Sequence, residues 1–164
     1  MASYTVSNVN VNGGSLQSLA ATAKSLLSVG AATGATTLRR GWLMEWEIGA
    51  GDVPNSTDCP IRWTIDTQTA AGTGTAAVVN VNDIGGADAA ALLVYTINYS
   101  AEPTITAQSA LWALPLNQRA SYRVQMRDEW SAIIVPAVNL KGPTFRALSP
   151  NYASTAIVRA LVRE

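Results

Sequence analysis

Glu45 and Glu47 are the two side chains whose type and spacing best suit acid/base chemistry. The segment around them alternates apolar and polar residues, which is typical of a strand with one buried face. Residues two apart on a strand share a face at about 7 Å, and glycosidases use carboxyl pairs at comparable separations. Acid/base work needs two carboxyl groups in unlike environments, however, and these two share one face. We therefore expect a solvated strand face.

The remaining sequence offers little for catalysis or metal binding. The chain has no histidine and one cysteine, Cys59, which has no partner for an intrachain disulfide. A serine or cysteine nucleophile would need Lys24 or Lys141 as its base, and no known nucleophile or phosphate-loop motif is present. Asp83 and Asp88 flank a glycine-containing loop but lack the spacing of an EF-hand. We expect no enzyme activity, no catalytic residue, no cofactor and no metal site.

Trp130 and three arginines are the best candidates for contact with a partner. Trp130 lies in a polar stretch between two predicted strands, which favours presentation at a loop tip or interface, although a partly buried anchor fits equally well. Nine of the eleven basic residues are arginine, the cation favoured for bidentate and stacked contacts. We predict that Trp130, Arg119, Arg123 and Arg127 bind a partner.

Four segments with a period of two residues supply the elements that would position these side chains. Their apolar faces are Trp42, Met44, Trp46 and Ile48; Ile61, Trp63 and Ile65; Tyr122, Val124 and Met126; and Ala156, Val158, Ala160 and Val162. Turn-rich stretches of Gly, Pro, Asn and Asp separate them. The pattern predicts an all-β fold, an antiparallel β-sandwich of jelly-roll type with at most one short helix.

Residues 15–30 fit two readings. Leucine and alanine recur at helical spacing between a possible N-cap, Ser15, and Gly30, whereas residues 23–29 also suit a strand. The Ser/Asn-rich residues 1–14 are expected to form an arm that orders only on contact, and residues 15–164 one sandwich domain.

Composition limits the class of partner. The 164 residues carry 11 basic and 11 acidic side chains, so the charge that drives general nucleic-acid binding is missing. No stretch is long and apolar enough for a membrane helix, and no secretory signal is recognisable, so we expect synthesis in the cytosol and no membrane contact. Near-zero net charge also favours association with other subunits.

Charge is unevenly spread along the chain. Residues 1–44 carry a net +3, residues 45–102 a net −7 and residues 103–164 a net +4. These segments could guide docking onto a neighbour, or interleaved strands could mix the charges within one molecule.

Three stretches resemble the small jelly-roll capsid-associated or decoration proteins of tailed bacteriophages: residues 38–48 (LRRGWLMEWEI), 115–123 (PLNQRASYR) and 145–150 (FRALSP). The resemblance is one of general character, in an Ala/Thr/Gly-rich and histidine-free background. It implies a β-sandwich that decorates or cements a capsid, commonly as a trimer and without catalysis. It transfers no individual site.

Two functions follow as expectations. The first is a structural virion protein that binds the major capsid protein at the capsid surface, as a homo-oligomer expected to be a trimer, and stabilises the shell by binding linkage. The alternative is a trimeric jelly-roll head that binds a receptor or glycan on a phage fibre or tail.

Overall fold

The computed structural model describes residues 2–9, 16–31, 38–82 and 91–164. These residues form thirteen strands and no helix. The strands are β1 (Ser3–Ser7), β2 (Lys24–Ala31), β3 (Gly41–Ala50), β4 (Pro60–Ala70), β5 (Thr73–Ala76), β6 (Val79–Val81), β7 (Leu93–Ala101), β8 (Thr104–Ile105), β9 (Trp112–Asn117), β10 (Ser121–Gln125), β11 (Ile133–Val135), β12 (Gly142–Leu148) and β13 (Ala156–Arg163).

The strands form two antiparallel sheets. Sheet I has the order β10-β3-β13-β1-β6, with β11 also paired to β3, and sheet II has the order β5-β7-β2-β12-β4-β8, with β9 also paired to β4. Trp46 of sheet I and Phe145 of sheet II meet edge to face, with their ring centroids 6.2 Å apart. The two sheets therefore pack against each other around one core, and the predicted β-sandwich is confirmed.

The strand order is that of a jelly roll. Strands β1, β13, β3 and β10 are neighbours in sheet I, and β2, β12, β4 and β9 are neighbours in sheet II. Along the chain these eight strands cross from one sheet to the other at each connection except that between β4 and β9, which gives the two interleaved Greek keys of a jelly roll. Strands β5 to β8 lie within the β4–β9 connection and widen both sheets.

Two of the predicted apolar faces lie in the core as expected. Ile61, Trp63 and Ile65 of β4 are at most 1% exposed. The four apolar residues predicted on β13 are equally buried, and both strands are central in their sheets. The third face, on β10, is only half-buried because β10 is an edge strand.

The predicted face of β3 is wrong at Trp42. Trp46 and Ile48 are buried as expected, and Met44 is also buried. Trp42 is half-buried, however, while its neighbour Leu43 is fully buried. The side chains of β3 therefore change their alternation between residues 43 and 46.

A β-bulge explains this change. Leu161 of β13 pairs with Glu45, whereas the next residue, Val162, pairs with Leu43, so Met44 is an extra residue on β3. One extra residue shifts the alternation by one and moves the following side chains to the opposite face. Strict period-two counting cannot register such an insertion.

Of the segment 15–30, the described residues 16–30 contain a strand and no helix. Strand β2 lies between β7 and β12, and residues 25–31 are buried on both faces. A strand covered on both faces has a continuous apolar run rather than an alternation, and such a run also matches helical spacing. The strand reading of residues 23–29 is therefore confirmed.

Part of the predicted N-terminal arm belongs to the sandwich. Strand β1 pairs with β13 on one side and β6 on the other, and its Tyr4 and Val6 are at most 2% exposed. The prediction of an arm over residues 1–14 is therefore wrong for residues 3–7. These residues form a strand because they pair on both sides and bury two side chains, Tyr4 and Val6. Residue 1 and residues 10–14 lie outside the described residues.

Asn8 continues the pairing of β1 with its side chain. Its Nδ2 donates to the carbonyl oxygen of Ala156 at 2.8 Å, and its Oδ1 accepts from the backbone N–H of Val158 at 2.8 Å. The residue is 0% exposed. The amide group thus satisfies two buried backbone groups of β13 beyond the end of β1.

The outer face of sheet II carries a buried polar layer. Ser28 and Tyr99 share a hydrogen bond between their hydroxyl groups. Thr144 Oγ1 donates to Gln68 Oε1 at 2.9 Å, and Gln68 Nε2 donates to the carbonyl oxygen of Leu140 at 2.7 Å. The segment leading into β12 therefore covers part of this face.

Candidate functional site

The carboxylate pair Glu45 and Glu47 lies on the outer face of sheet I, as the strand pattern predicted. Arg123 of β10 contacts Glu45 through its NH2 and Nε atoms at 2.7 and 2.8 Å. Hydrogen bonding to Glu45 raises the pKa of Arg123 further above its ordinary value. Glu47 lies opposite Arg123 on one side and Arg159 on the other. The two carboxylates thus lie next to arginines of the neighbouring strands, an arrangement that favours a structural role.

Arg119, a predicted partner residue, is engaged within the molecule. Its Nε lies 2.7 Å from Oδ1 of Asp58, and its NH2 donates to the carbonyl oxygen of Asn55 at 2.6 Å. The hydrogen bond from Arg119 lowers the pKa of Asp58. Arg119 therefore ties the β9–β10 turn to the loop before β4, and its contacts there are structural.

Trp130 protrudes from the loop that connects β10 and β11, residues 126–132, called here the Trp130 loop. Its side chain is 98% exposed. Of the two predicted positions for Trp130, an exposed loop tip and a partly buried anchor, the structure shows the exposed one. Arg127 in the same loop is also exposed. Full exposure of the largest side chain is unusual, because an indole contributes a large apolar area when it is buried.

A compact hydrogen-bonded turn holds this loop. The backbone N–H of Ser131 donates to Oδ1 of Asp128 at 2.9 Å, and the Ser131 hydroxyl donates to the carbonyl oxygen of Asp128 at 3.0 Å. The backbone N–H of Asp128 donates in return to the Ser131 hydroxyl at 3.3 Å. Trp130 is thus presented on an ordered turn, which lowers the entropy lost when a partner binds.

Aromatic rings link the core to the surface on this side of the sandwich. Trp112 of β9 packs edge to face on Trp46 at 5.8 Å and stacks on Tyr122 of β10 at 6.3 Å. Tyr122 is 44% exposed. The rings therefore connect β9 of sheet II with β3 and β10 of sheet I.

An apolar groove runs beside the Trp130 loop. Its lining includes Leu111, Ala132, Ile134, Pro136 and Pro143, and its volume is about 500 Å³. Leu111 and Ile134 are about half exposed, at 54% and 49%. Sequence analysis missed this groove, because Ile134 lies in an apolar run that reads as a buried strand and nothing marks Leu111 as exposed.

The charged segments of the sequence are mixed within the fold. Four ion pairs join described residues, and each links the −7 segment to a positive one: Lys24–Glu102, Arg119–Asp58, Arg123–Glu45 and Arg146–Asp66. Of the two alternatives, the structure therefore shows the one in which interleaved strands mix the charges within one molecule. Among the described residues, these contacts pair four of the eleven basic side chains within the molecule.

Within the described ranges, no three or more His, Cys, Asp or Glu residues come together as a metal site. The Asp83–Asp88 loop lies outside those ranges. Cys59 is buried and contacts the carbonyl oxygens of Thr57 and Asn151 at 3.4 Å. No helix in the described part of the chain could cross a bilayer.

Comparisons with protein-family models, curated proteins and solved structures give no match for this chain. The functional argument therefore rests on the site geometry and on the sequence.

Proposed function

We propose that this protein is a structural virion protein of a tailed phage, which binds the capsid surface as a homo-oligomer and stabilises the shell. Its partner in the shell is the major capsid protein, and its activity is binding without turnover. The observation that carries the proposal is Trp130, 98% exposed on an ordered turn beside an apolar groove. Exposed aromatic anchors of this kind typify protein interfaces.

The charge distribution supports the same proposal. Because the formal net charge is zero and the four ion pairs mix both signs through the fold, the chain has no excess of one sign with which to recruit nucleic acid or a strongly charged partner. Attachment then depends on burial of apolar area. The sequence resemblance to capsid decoration proteins gives that surface its expected partner, and it implies three copies per oligomer.

The test is addition of the purified protein to shells from the same source that lack it. We expect the protein to sediment with the shells and to raise their dissociation temperature, because a ligand that binds only the assembled state stabilises it. Trp130→Ala should weaken this sedimentation with shells, and Val53→Ala is its control, since Val53 is an apolar side chain, 79% exposed, in a different loop. Failure of the protein to sediment with shells contradicts the proposal.

A jelly-roll head that binds a glycan is the second candidate. The exposed ring of Trp130 offers a flat apolar surface, and its loop also carries the polar residues Arg127 and Asp128, a combination that suits a sugar ring. Binding to immobilised glycans that Trp130→Ala abolishes, together with a position on a tail or fibre at low copy number, would favour this candidate over the shell protein.

A further inference from the structure

A projecting side chain and a recess lie side by side on the β10–β11 edge of the sandwich. Trp130 is two residues before Ala132, which lines the apolar groove, so its Cα is within about 7 Å of that lining. The groove volume of about 500 Å³ falls within the range of pockets that accept drug-sized ligands, about 300–1,000 Å³. Trp130 does not fill its own groove, because its side chain is 98% exposed.

The adjacency of the two features meets a requirement for pairing with a second copy. In a two-fold interface the same patch of both subunits makes the contact, so a projection and a recess must lie on one patch. In a ring of three copies, by contrast, each subunit contributes two different patches. The Trp130 loop and the groove form one patch, and this arrangement suits a second copy of the chain.

The charges of the loop fit the same arrangement. Arg127 is followed by Asp128 and Glu129, so the loop carries both signs within three residues. When two such loops run antiparallel across a two-fold axis, Arg127 of one copy faces the acidic residues of the other. Arg127 makes no ion pair among the described residues, in contrast to Arg119 and Arg123.

We propose that two copies of this chain pair about a two-fold axis, each inserting Trp130 into the apolar groove of the other. The contact buries two indole rings, and Arg127 pairs with Glu129 across the axis. This pairing occupies the Trp130 surface that the proposed function assigns to the shell, and it gives two copies where the resemblance implies three, so the shell and a second copy are competing occupants of one patch.

Sedimentation of the full chain at micromolar concentration tests the pairing. We expect a dimer, or an even-numbered multiple of it, for the wild type and for Val53→Ala. Trp130→Ala should raise the dissociation constant by at least about tenfold, as for a central interface anchor. Leu111→Asp, which changes only the groove, should have the same effect, while circular dichroism reports that both variants remain folded.

A charge exchange tests the geometry of the pair. Arg127→Glu and Glu129→Arg should each weaken self-association when measured alone, because each homodimer then sets like charges opposite one another. An equimolar mixture of the two variants should restore the dimer, since every contact across the axis then joins opposite charges. Only a contact between subunits predicts this rescue by mixing.

Several results would overturn the inference. These are a wild-type monomer, a strictly trimeric species, an oligomer unaffected by Trp130→Ala, and an absence of rescue on mixing. A wild-type monomer that binds shells through Trp130 would identify the shell as the occupant and would leave the proposed function intact. A dimer that fails to bind shells would leave this inference intact and contradict the proposed function.

Discussion

Individual tryptophans of this molecule experience opposite environments. Trp46 and Trp63 are at most 1% exposed, and Trp130 is 98% exposed. We expect Trp46→Ala and Trp63→Ala each to lower the free energy of unfolding by about 3–5 kcal/mol, because a buried indole leaves a large cavity. Trp130→Ala should change it by less than about 0.5 kcal/mol. Denaturant unfolding measures all three, and a loss below about 1 kcal/mol at both buried positions would contradict the core described above.

Asn8 shows how one polar side chain holds two strands together. Asn8→Ala removes the partners of the Ala156 carbonyl and the Val158 N–H, so we expect a loss of about 2–4 kcal/mol in unfolding free energy. Ser7→Ala is the matched control. Ser7 donates to the Val158 carbonyl, which also accepts from the Asn8 N–H, so no buried group loses its last partner. Equal losses for the two variants in urea unfolding would refute this assignment.

Two buried tyrosines make stability depend on alkaline pH. Burial raises the pKa of Tyr99 to about 12, and it also raises the pKa of Tyr95. Above about pH 10 the unfolded chain loses these protons while the folded chain keeps them, so stability falls as the pH rises toward 12. Stability at lower pH is unaffected by either group.

The measurement is urea unfolding at intervals from about pH 9 to about pH 12. We expect the unfolding free energy of Tyr99→Phe to fall less steeply over that window than that of the wild type, because the variant lacks one of the two tyrosine protons that unfolding releases. Tyr122→Phe is the control, since Tyr122 is 44% exposed. A wild-type curve that is flat over the window would show that neither tyrosine is linked to unfolding.

At the scale of elements, the contact between β12 and β2 requires a residue without a side chain. A Cβ atom at Gly142 would lie 1.9 Å from the carbonyl oxygen of Val29, a backbone atom in a central strand. Gly142→Ala should therefore lower the unfolding free energy by about 1–3 kcal/mol or more. Gly49→Ala is the matched control, because its nearest neighbour would be Ser121 Cβ at 3.5 Å, an ordinary contact. Indistinguishable melting temperatures for the two variants would count against this packing.

The strands that sequence patterns predicted well are those with one regular buried face. Strands β4 and β13 show the expected alternation, because buried and less buried side chains alternate without a break along the predicted residues. The pattern was wrong at Trp42 because a bulge at Met44 depends on how β3 pairs with β13, a long-range property that local spacing does not contain. It was ambiguous for β2 because burial on both faces removes the alternation itself.

The candidate site divides along similar lines. The polar context of Trp130 indicated an exposed position, whereas its pairing with a groove required residues from three separate segments, represented by Leu111, Ile134 and Pro143. The sequence could not show which of Arg119, Arg123 and Arg127 would pair with an acidic residue of the same molecule. Only the fold brings Asp58 and Glu45 within reach of the first two.

At the scale of the whole molecule, attachment to a shell should tolerate salt. The proposed shell contact buries apolar area around Trp130, and salt weakens such burial little. Shells carrying the protein should therefore retain it in about 1 M NaCl, where the Debye length is about 3 Å. Gel analysis of washed particles measures retention, and complete release would show that electrostatic pairing dominates.

The pairing of strands has a consequence for how fast the chain folds. In the described part of the chain no strand pairs with the strand that follows it, so every ladder requires distant segments to meet. Loop-closure entropy must be paid before such contacts form, and topologies of this kind fold over about milliseconds to seconds. Refolding after dilution from urea should therefore be slow enough to follow by stopped-flow fluorescence of the buried tryptophans.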